Sequence, residues 1–444
     1  MKNSIISFIL AFTLCPAYSQ VASTLPLSLQ ECRKMALENN EKVMTANNAV
    51  EKAKLDRQIA FAQYLPKVDG SFTMFHMQDQ DLLQISDVLG VSVQTRGAFL
   101  AGVNVTLPLY AGGQIKAANN LARIGQTVSE EQRRKIRMQV IADVDNAYYT
   151  LIAVSSKVRM LEAYARQMQG LYDKVKLAND VQMATENDLL RVSTKQNEVS
   201  YQLQKARNGE QLCGLALANI IGTDFNLIIV PTDTVFNSQS IIQTPELSED
   251  FSSRPDLLLL QQQVKVNEQL VKKERSNYLP TVAIMGNYSY HDNVKLVGVM
   301  NLPNRTINYN HTFNGGSPHA LFSLRLPIFH WGAEFKKVKK AKLNLNDSKL
   351  QLQQMERSMR VEVRRAVQNV TDGERMVETA MVGREQADEN LRVMREKYDN
   401  QLCTMTDLLD AQSQWQQARS NLIEAQTQLK IYETEYLRVT GRLE

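Results

Sequence analysis

Three aspartates are the residues in this chain best spaced for chemistry. Asp407 and Asp410 in "TDLLDAQ" are three apart, so a helix there carries both carboxylates on one face, and Asp188 holds the matching place in "NDLL". Carboxylates gathered this way repel anions, attract cations and can be bridged by basic groups. A plainer role competes with that one. "TEND" and "TMTD" put Thr185 and Thr404 three residues ahead of Asp188 and Asp407, the spacing of a helix N-cap. No catalytic arrangement surrounds them. The histidines at 76, 291, 311, 319 and 330 belong to no HExxH pattern and have no nearby cysteine, and there is no Gly-rich phosphate loop or GxSxG elbow. The sequence therefore predicts no enzyme, no cofactor and no metal site. The cluster Lys336, Lys337, Lys339, Lys340 and Lys342 could meet lipid headgroups. Read as an ordinary charge run, it is a solvated helix face.

Those residues need elements to hold them, and the chain first gives an address. The opening "MKNSIISFILAFTLCPAYSQ" has a basic Lys2, an apolar stretch from Ile5 to Leu14 and small residues in Ala17-Tyr18-Ser19. That is the pattern of a secretory signal peptide, residues 1–19, cut before Gln20. Cys15 admits a rival, lipoprotein processing, but such processing wants a small residue where Leu14 stands. Cys32, Cys213 and Cys403 then remain, an odd number without CxxC spacing. They read as small buried hydrophobes. The balance of 51 basic and 47 acidic residues gives +4, and with no basic stripe interleaved with aromatics it predicts no nucleic-acid partner. No later apolar run approaches the ~20 residues of a membrane helix. If this exported chain enters a membrane, it must do so as a β-barrel.

The chain is also internally duplicated. Pro327 minus Pro108, Gly332 minus Gly113 and Asp407 minus Asp188 all equal 219, while "QYLPKV" at 63–68 and "NYLPTV" at 277–282 differ by 214. The first repeat, 20–222, reads as a helix over 28–64, strands over about 66–78 and 97–110, and a helical hairpin over 113–222. The second, 253–444, reads as a helix over 254–279, strands over about 280–292 and 319–330, and a hairpin over 332–441. A polar linker, 223–252, joins them. Half of each hairpin is about 55 residues, or ~80 Å of helix. Trp415, Ala418, Leu422, Ala425, Leu429, Tyr432, Tyr436 and Val439 recur at alternating spacings of three and four, a heptad seam. Cys213 falls in the equivalent seam of the first repeat.

In the strand segments Val68, Gly70, Phe72 and Met74 oppose Asp69, Ser71 and Thr73, and Phe99, Ala101, Val103, Val105 and Leu107 oppose Gly102, Asn104 and Thr106. Val282, Ile284, Tyr288 and Tyr290, then Phe322, Leu324, Leu326 and Ile328, repeat the alternation. Runs of about ten residues, apolar on one face, mark transmembrane barrel strands, although a soluble sandwich alternates too. Four strands cannot close a barrel, which needs about eight, so a barrel here must be shared between chains. Pro66 and Pro280 sit where helix gives way to strand, and Pro108 and Pro327 where strand gives way to helix. Proline has no amide to give to either ladder, and Gly113 and Gly332 free the backbone for the change of direction. Tyr64, Tyr110, Tyr278, Phe329 and Trp331 fall at the same end, as an aromatic girdle would.

With "LSLQECRKMALENN" (27–40), "SRPDLLLLQQQVKVNEQLVKKERSNYLPTV" (253–282), "YDNQLCTMTDLLDAQ" (398–412) and both proline-glycine joints, the chain resembles the TolC-like outer-membrane efflux proteins. The resemblance implies a mainly α protein with a small β part, four transmembrane strands and long coiled-coil helices per chain. It implies a homotrimer with a 12-strand barrel in the outer membrane and a helical tunnel in the periplasm. It further implies the exit duct of a tripartite efflux or type I secretion-like system, whose partners are a periplasmic adaptor (membrane fusion) protein, an inner-membrane efflux transporter and outer-membrane lipid. Gln182, Gln401 and Leu402 then mark the tip where the adaptor docks, and Asp407, Asp410 and Asp188 a constriction, with Arg392 or Arg395 as bases able to bridge it. The family usually has glycine in the tip turn. Here Gln182 and Gln401 stand there, so the backbone must avoid φ > 0 or accept strain. Two other readings stay open. A passive porin would not explain two helical hairpins, and an exported coiled-coil scaffold would not need four alternating strands.

Overall fold

The computed structural model describes residues 24–443 except 87–90, 226, 234–241, 243, 244, 246, 248, 249, 303 and 304. The expected signal peptide, Cys15 and much of the polar linker lie outside the described residues. In chain order the elements are β1 (Thr24–Leu27), α1 (Leu29–Asn39), α2 (Glu41–Ala62), β2 (Lys67–Ser86), β3 (Val91–Ala111), α3 (Gln114–Asp180), α4 (Glu186–Ile221), β4 (Ile228–Pro231), α5 (Pro255–Ser276), β5 (Thr281–Leu302), β6 (Arg305–Arg325), α6 (Ala333–Asp399) and α7 (Met405–Val439). The shift of 219 carries α3 onto α6, 67 residues each, and the first residue of α4 onto that of α7. It reaches the backbone torsions as well. Positive φ at Gly112, Gly113, Gln182 and Gly222 recurs at Trp331, Gly332, Gln401 and Gly441.

The chain forms two compact units, one of Met1–Met44, Ile136–Asp250 and Arg360–Glu444, the other of Thr45–Lys135 and Phe251–Met359. The second holds an antiparallel sheet in the order β2-β3-β5-β6. Its register aligns the apolar positions across strands: Val68 faces Val105, which faces Gly286, which faces Ala320, and Phe72 faces Ala101, which faces Tyr290. Directly paired residues share a face. One face of the sheet is thus apolar, with Val68, Phe72, Met74, Val103, Ile284, Phe322 and Leu324 all exposed. The other face lines up Asp69, Asn104, Asn287 and His319, and Asn287 donates to Asn104. Met285 and Leu321 are apolar exceptions on the polar side. No described helix is long and apolar enough to cross a membrane.

The strands run beyond the expected ranges at their far ends. β2 and β3 reach Ser86 and Val91, and β5 and β6 reach Leu302 and Arg305. Strict alternation fades there, while the ladder, which needs only backbone groups, continues. At the near end β6 stops at Arg325, short of the expected 330, because β5 begins opposite it at Thr281 and Pro327 offers no amide. Pro108 instead lies inside β3, opposite Ala283, at a register shift before Tyr110. That bulge brings Tyr110 onto the apolar face beside Val282.

In the first unit β1 pairs in parallel with β4, a strand inside the segment expected to be linker. Leu27, Cys32, Ala36, Val144, Tyr148, Leu217 and Ile221 form one core cluster there, and Cys213 packs against it half-buried, as the seam predicts. The expected single helix over 28–64 is broken at Asn40, whose ψ is 127°. Its side chain explains the break, since Nδ2 donates to Ile220 O at 2.9 Å and Oδ1 accepts from Lys42 N at 2.9 Å. Asp145 is fully buried and receives two bonds from Arg33, at 2.7 and 2.5 Å, and one from Thr434 at 3.1 Å. The hairpins are unequal rather than halved, 67 and 36 residues in the first and 67 and 35 in the second.

Candidate functional site

The site begins at the two hairpin turns, where the predicted tip residues lie. In the first turn Gln182 N donates to Asn179 O and Met183 N to Ala178 O. In the second, Gln401 N donates to Tyr398 O and Leu402 N to Lys397 O. This is the bonding of a Schellman helix end, whose pivotal residue is left-handed and usually glycine. Gln182 and Gln401 adopt φ of 63° and 58°, so the backbone accepts the strain that a side chain brings there. Leu402 is exposed.

Two residues on, each hairpin's return helix starts with a capping box. Thr404 Oγ1 donates to Asp407 Oδ2 at 2.7 Å, Thr404 N does so at 2.9 Å, and Asp407 N donates back to Thr404 Oγ1 at 3.2 Å. Thr185 and Asp188 repeat the arrangement. Both aspartates are therefore caps. The bonds from Thr404 hold the Asp407 carboxyl below its ordinary value. Asp410 lies on the same helix, exposed, and among the described residues makes no hydrogen bond or ion pair.

The structure brings the two tips together. Arg191 of α4 donates to Thr406 of α7, Lys174 of α3 pairs with Asp399 of α6 at 3.6 Å, and Arg395 donates to Gln167. Tyr398, at the end of α6, is pushed above its ordinary value by burial and then by nearby Asp188. Beneath the tips Tyr164, Met168, Val192, Leu391, Met405, Leu408 and Trp415 form a second core cluster. The Trp415 indole donates to Asp388 at 2.6 Å, and Arg419 lies 4.7 Å from the ring centroid. Arg392 does not reach the aspartates. It binds Glu389 and Glu396 of its own helix, each at 2.6 Å, and Arg395 is likewise engaged elsewhere. A cavity of about 280 Å³ lies among Gln167, Lys174, Arg395, Tyr398, Asp399 and Gln412. The sequence reading missed Arg191, Lys174, Tyr398 and Gln412. Arg191 and Lys174 meet partners in the other repeat, Thr406 and Asp399, and no local sequence pattern marks any of the four. Among the described residues no group of His, Cys, Asp and Glu is arranged to hold a metal ion.

The architecture is a sheet with one apolar face, continuous in the chain with paired helical hairpins and duplicated throughout. The profile of the family described as Outer membrane efflux protein matches residues 32–223 and 247–442, and the chain belongs to that family. Its place is the outer membrane and its class is an efflux channel, a transport family rather than an enzymatic one. It is similar to the probable efflux pump outer membrane protein TtgC of Pseudomonas putida, 21% identical over 356 residues that cover 78% of this chain and 67% of the relative. The antibiotic efflux pump outer membrane protein ArpC of the same species matches equally. In fold it is similar to the Campylobacter jejuni CmeC outer membrane channel, with a TM-score of 0.78 and 19% identity over 94% of this chain and 86% of that one. The open state of the Neisseria gonorrhoeae MtrE outer membrane channel gives 0.75 and 18% over 94% and 89%.

Proposed function

We propose that three copies of this chain close into one exit duct, with a 12-strand barrel and a helical tunnel, that serves a tripartite efflux system. Its helix tips, at Gln182, Gln401 and Leu402, receive a periplasmic adaptor joined to an inner-membrane transporter. The observation that carries this reading is the sheet: β2 and β6 have open edges, and unpaired backbone groups cannot stand in lipid. The duplication supplies the missing register. Val105 faces Gly286 within the chain, and the shifts of 219 and 214 map that pair onto Leu324 and Phe72 of the next copy. Leu324→Cys with Phe72→Cys should give a covalent trimer on a non-reducing gel. Leu324→Cys with Thr73→Cys, one residue out of register, should not. Monomer alone from the first pair would overturn the shared barrel.

At the tip, Asp407, Asp410 and Asp188 are proposed to line a cation-binding constriction that docking loosens. What supports this is the one-face spacing of Asp407 and Asp410 and the Asp410 carboxylate, which has no partner among the described residues. Because Asp407 also caps α7, Asp410→Asn is the cleaner probe. In a planar bilayer the wild type should conduct little, favour cations and be blocked by multivalent cations from the periplasmic side. Asp410→Asn should weaken both the block and the selectivity. A block that survives this change and Asp407→Ala places the constriction elsewhere.

A further inference from the structure

We propose that the joint between β6 and α6 is a binding site for anionic phospholipid headgroups at the lipid–water boundary. The inference rests on the outer-membrane placement of the family and not on the trimer or the tip constriction. Past Arg325 the chain leaves the ladder, and Ile328, Phe329 and Trp331 stand uncovered, Trp331 being 90% exposed. The rings of Phe329 and Trp331 lie 5.1 Å apart, centroid to centroid. Aromatic rings beside an apolar sheet face suit the headgroup level. About one turn further on, Lys336, Lys337, Lys339, Lys340 and Lys342 are all exposed, and Glu334 is the sole acid between Leu326 and Leu345. Lys337 takes that acid at 3.0 Å. Among the described residues Lys336, Lys339, Lys340 and Lys342 make no ion pair.

A solvated helix face does not account for this. The shift of 219 maps the five lysines onto Ala117, Ala118, Asn120, Leu121 and Arg123. There Ala117 is buried, and Asn120 donates to Gln269 of α5 at 3.3 Å. A second copy seated on the second joint in the same way would present α2, with exposed Leu55 in the place of Gln269 and one carboxylate, Asp56, next to it in the chain against four lysines. The lysine stems can lie along such a surface, but their ammonium groups must reach out of it. At the boundary of a phospholipid leaflet the anion they meet is a headgroup phosphate.

The test uses the purified full-length protein in neutral detergent, titrated with mixed micelles of phosphatidylglycerol or phosphatidylcholine, with bound lipid counted by native mass spectrometry. Phosphatidylglycerol should be preferred at least about tenfold. The preference should vanish when Lys336, Lys339, Lys340 and Lys342 are all changed to Gln, persist when all four are Arg, and fade in about 0.5 M salt. Soluble glycerophosphate should not compete. No preference in the wild type, or an undiminished one in the folded Gln variant, would overturn the proposal. Competition by glycerophosphate would overturn it too, since the site would then take free phosphate. Should the Gln variant fail to fold, the salt arm decides: a wild-type preference that survives high salt is not electrostatic and sinks the idea.

Discussion

The two strand-to-helix joints share a backbone and differ in their surroundings. Gly112 and Trp331 are repeat mates with φ of 60° and 53°. At Gly112 an added Cβ would lie 2.6 Å from Ser276 O and 3.1 Å from Leu279 Cβ, so α5 presses on the first joint and only glycine fits. At the second joint the same left-handed residue is an exposed tryptophan. Duplication has preserved the bend, which the topology requires twice, and released the side chains, which meet different neighbours. The same holds away from the joints. Asp145 is buried under Arg33 and Thr434, while its mate Arg364 is exposed.

That contrast sets the largest expected effect. Arg33→Ala strands the fully buried Asp145 carboxylate and should cost about 3–5 kcal/mol in denaturant unfolding. Arg364→Ala should stay within about 0.5 kcal/mol. Equal losses would mean the two repeats are not differently packed at this level. Next comes the joint itself. Gly112→Val should cost about 2–5 kcal/mol, from left-handed strain together with overpacking against α5. Trp331→Gly should be neutral or slightly stabilising to the single chain. Thermal unfolding followed by circular dichroism separates these outcomes.

How much of this was open to a sequence reader follows from the range of each interaction. The period-two stretches, the heptad seam and the 219-residue shift are local or self-referential, so the strands, the hairpins and their joints were legible. The break at Asn40 was not, because it depends on the carbonyl of Ile220, a residue distant in the chain. The far ends of the strands were missed because a ladder can continue where side-chain alternation no longer marks it. The uneven division of the hairpins follows from the turns at Gln182 and Gln401, which lie well past the midpoints. At the tip, "TEND" and "TMTD" announced the caps. The links from Arg191 to Thr406 and from Lys174 to Asp399 were hidden, for they join residues of different repeats.

The caps should behave alike in both repeats, which tests whether the tips have diverged as the joints have. Thr185→Ala and Thr404→Ala should each cost about 1 kcal/mol, read as faster amide exchange in the first turns of α4 and α7. The Thr404 bonds keep the Asp407 carboxyl below its ordinary 3.8. A depressed carboxyl stabilises the fold above its unfolded value, so the Asp407 contribution is complete above about pH 4 and is lost only as pH falls beneath that through the folded pKa. In Thr404→Ala the Asp407 titration, followed by carboxyl NMR, should move upward toward the ordinary value. An unmoved titration would show that the threonine bonds are not what lowers it.

The smallest effect concerns the turns themselves. Gln182 and Gln401 hold left-handed backbone in Schellman ends that favour glycine, and for a side-chain-bearing residue this conformation costs about 1–2 kcal/mol. Gln401→Gly and Gln182→Gly remove that cost but free the unfolded chain, a loss of about 0.4–1 kcal/mol. Each substitution should therefore stabilise its hairpin, by about 0.5–1 kcal/mol, with the hydrogen bonds of Met183 to Ala178 and Leu402 to Lys397 intact. Amide exchange at Met183 and Leu402 reads the two turns separately in one protein. If both slow on substitution, glutamine is only tolerated there and the turns are equivalent. If the exchange of Leu402 quickens while that of Met183 slows, the Gln401 side chain is contributing to its own turn. The tips would then have diverged as far as the joints.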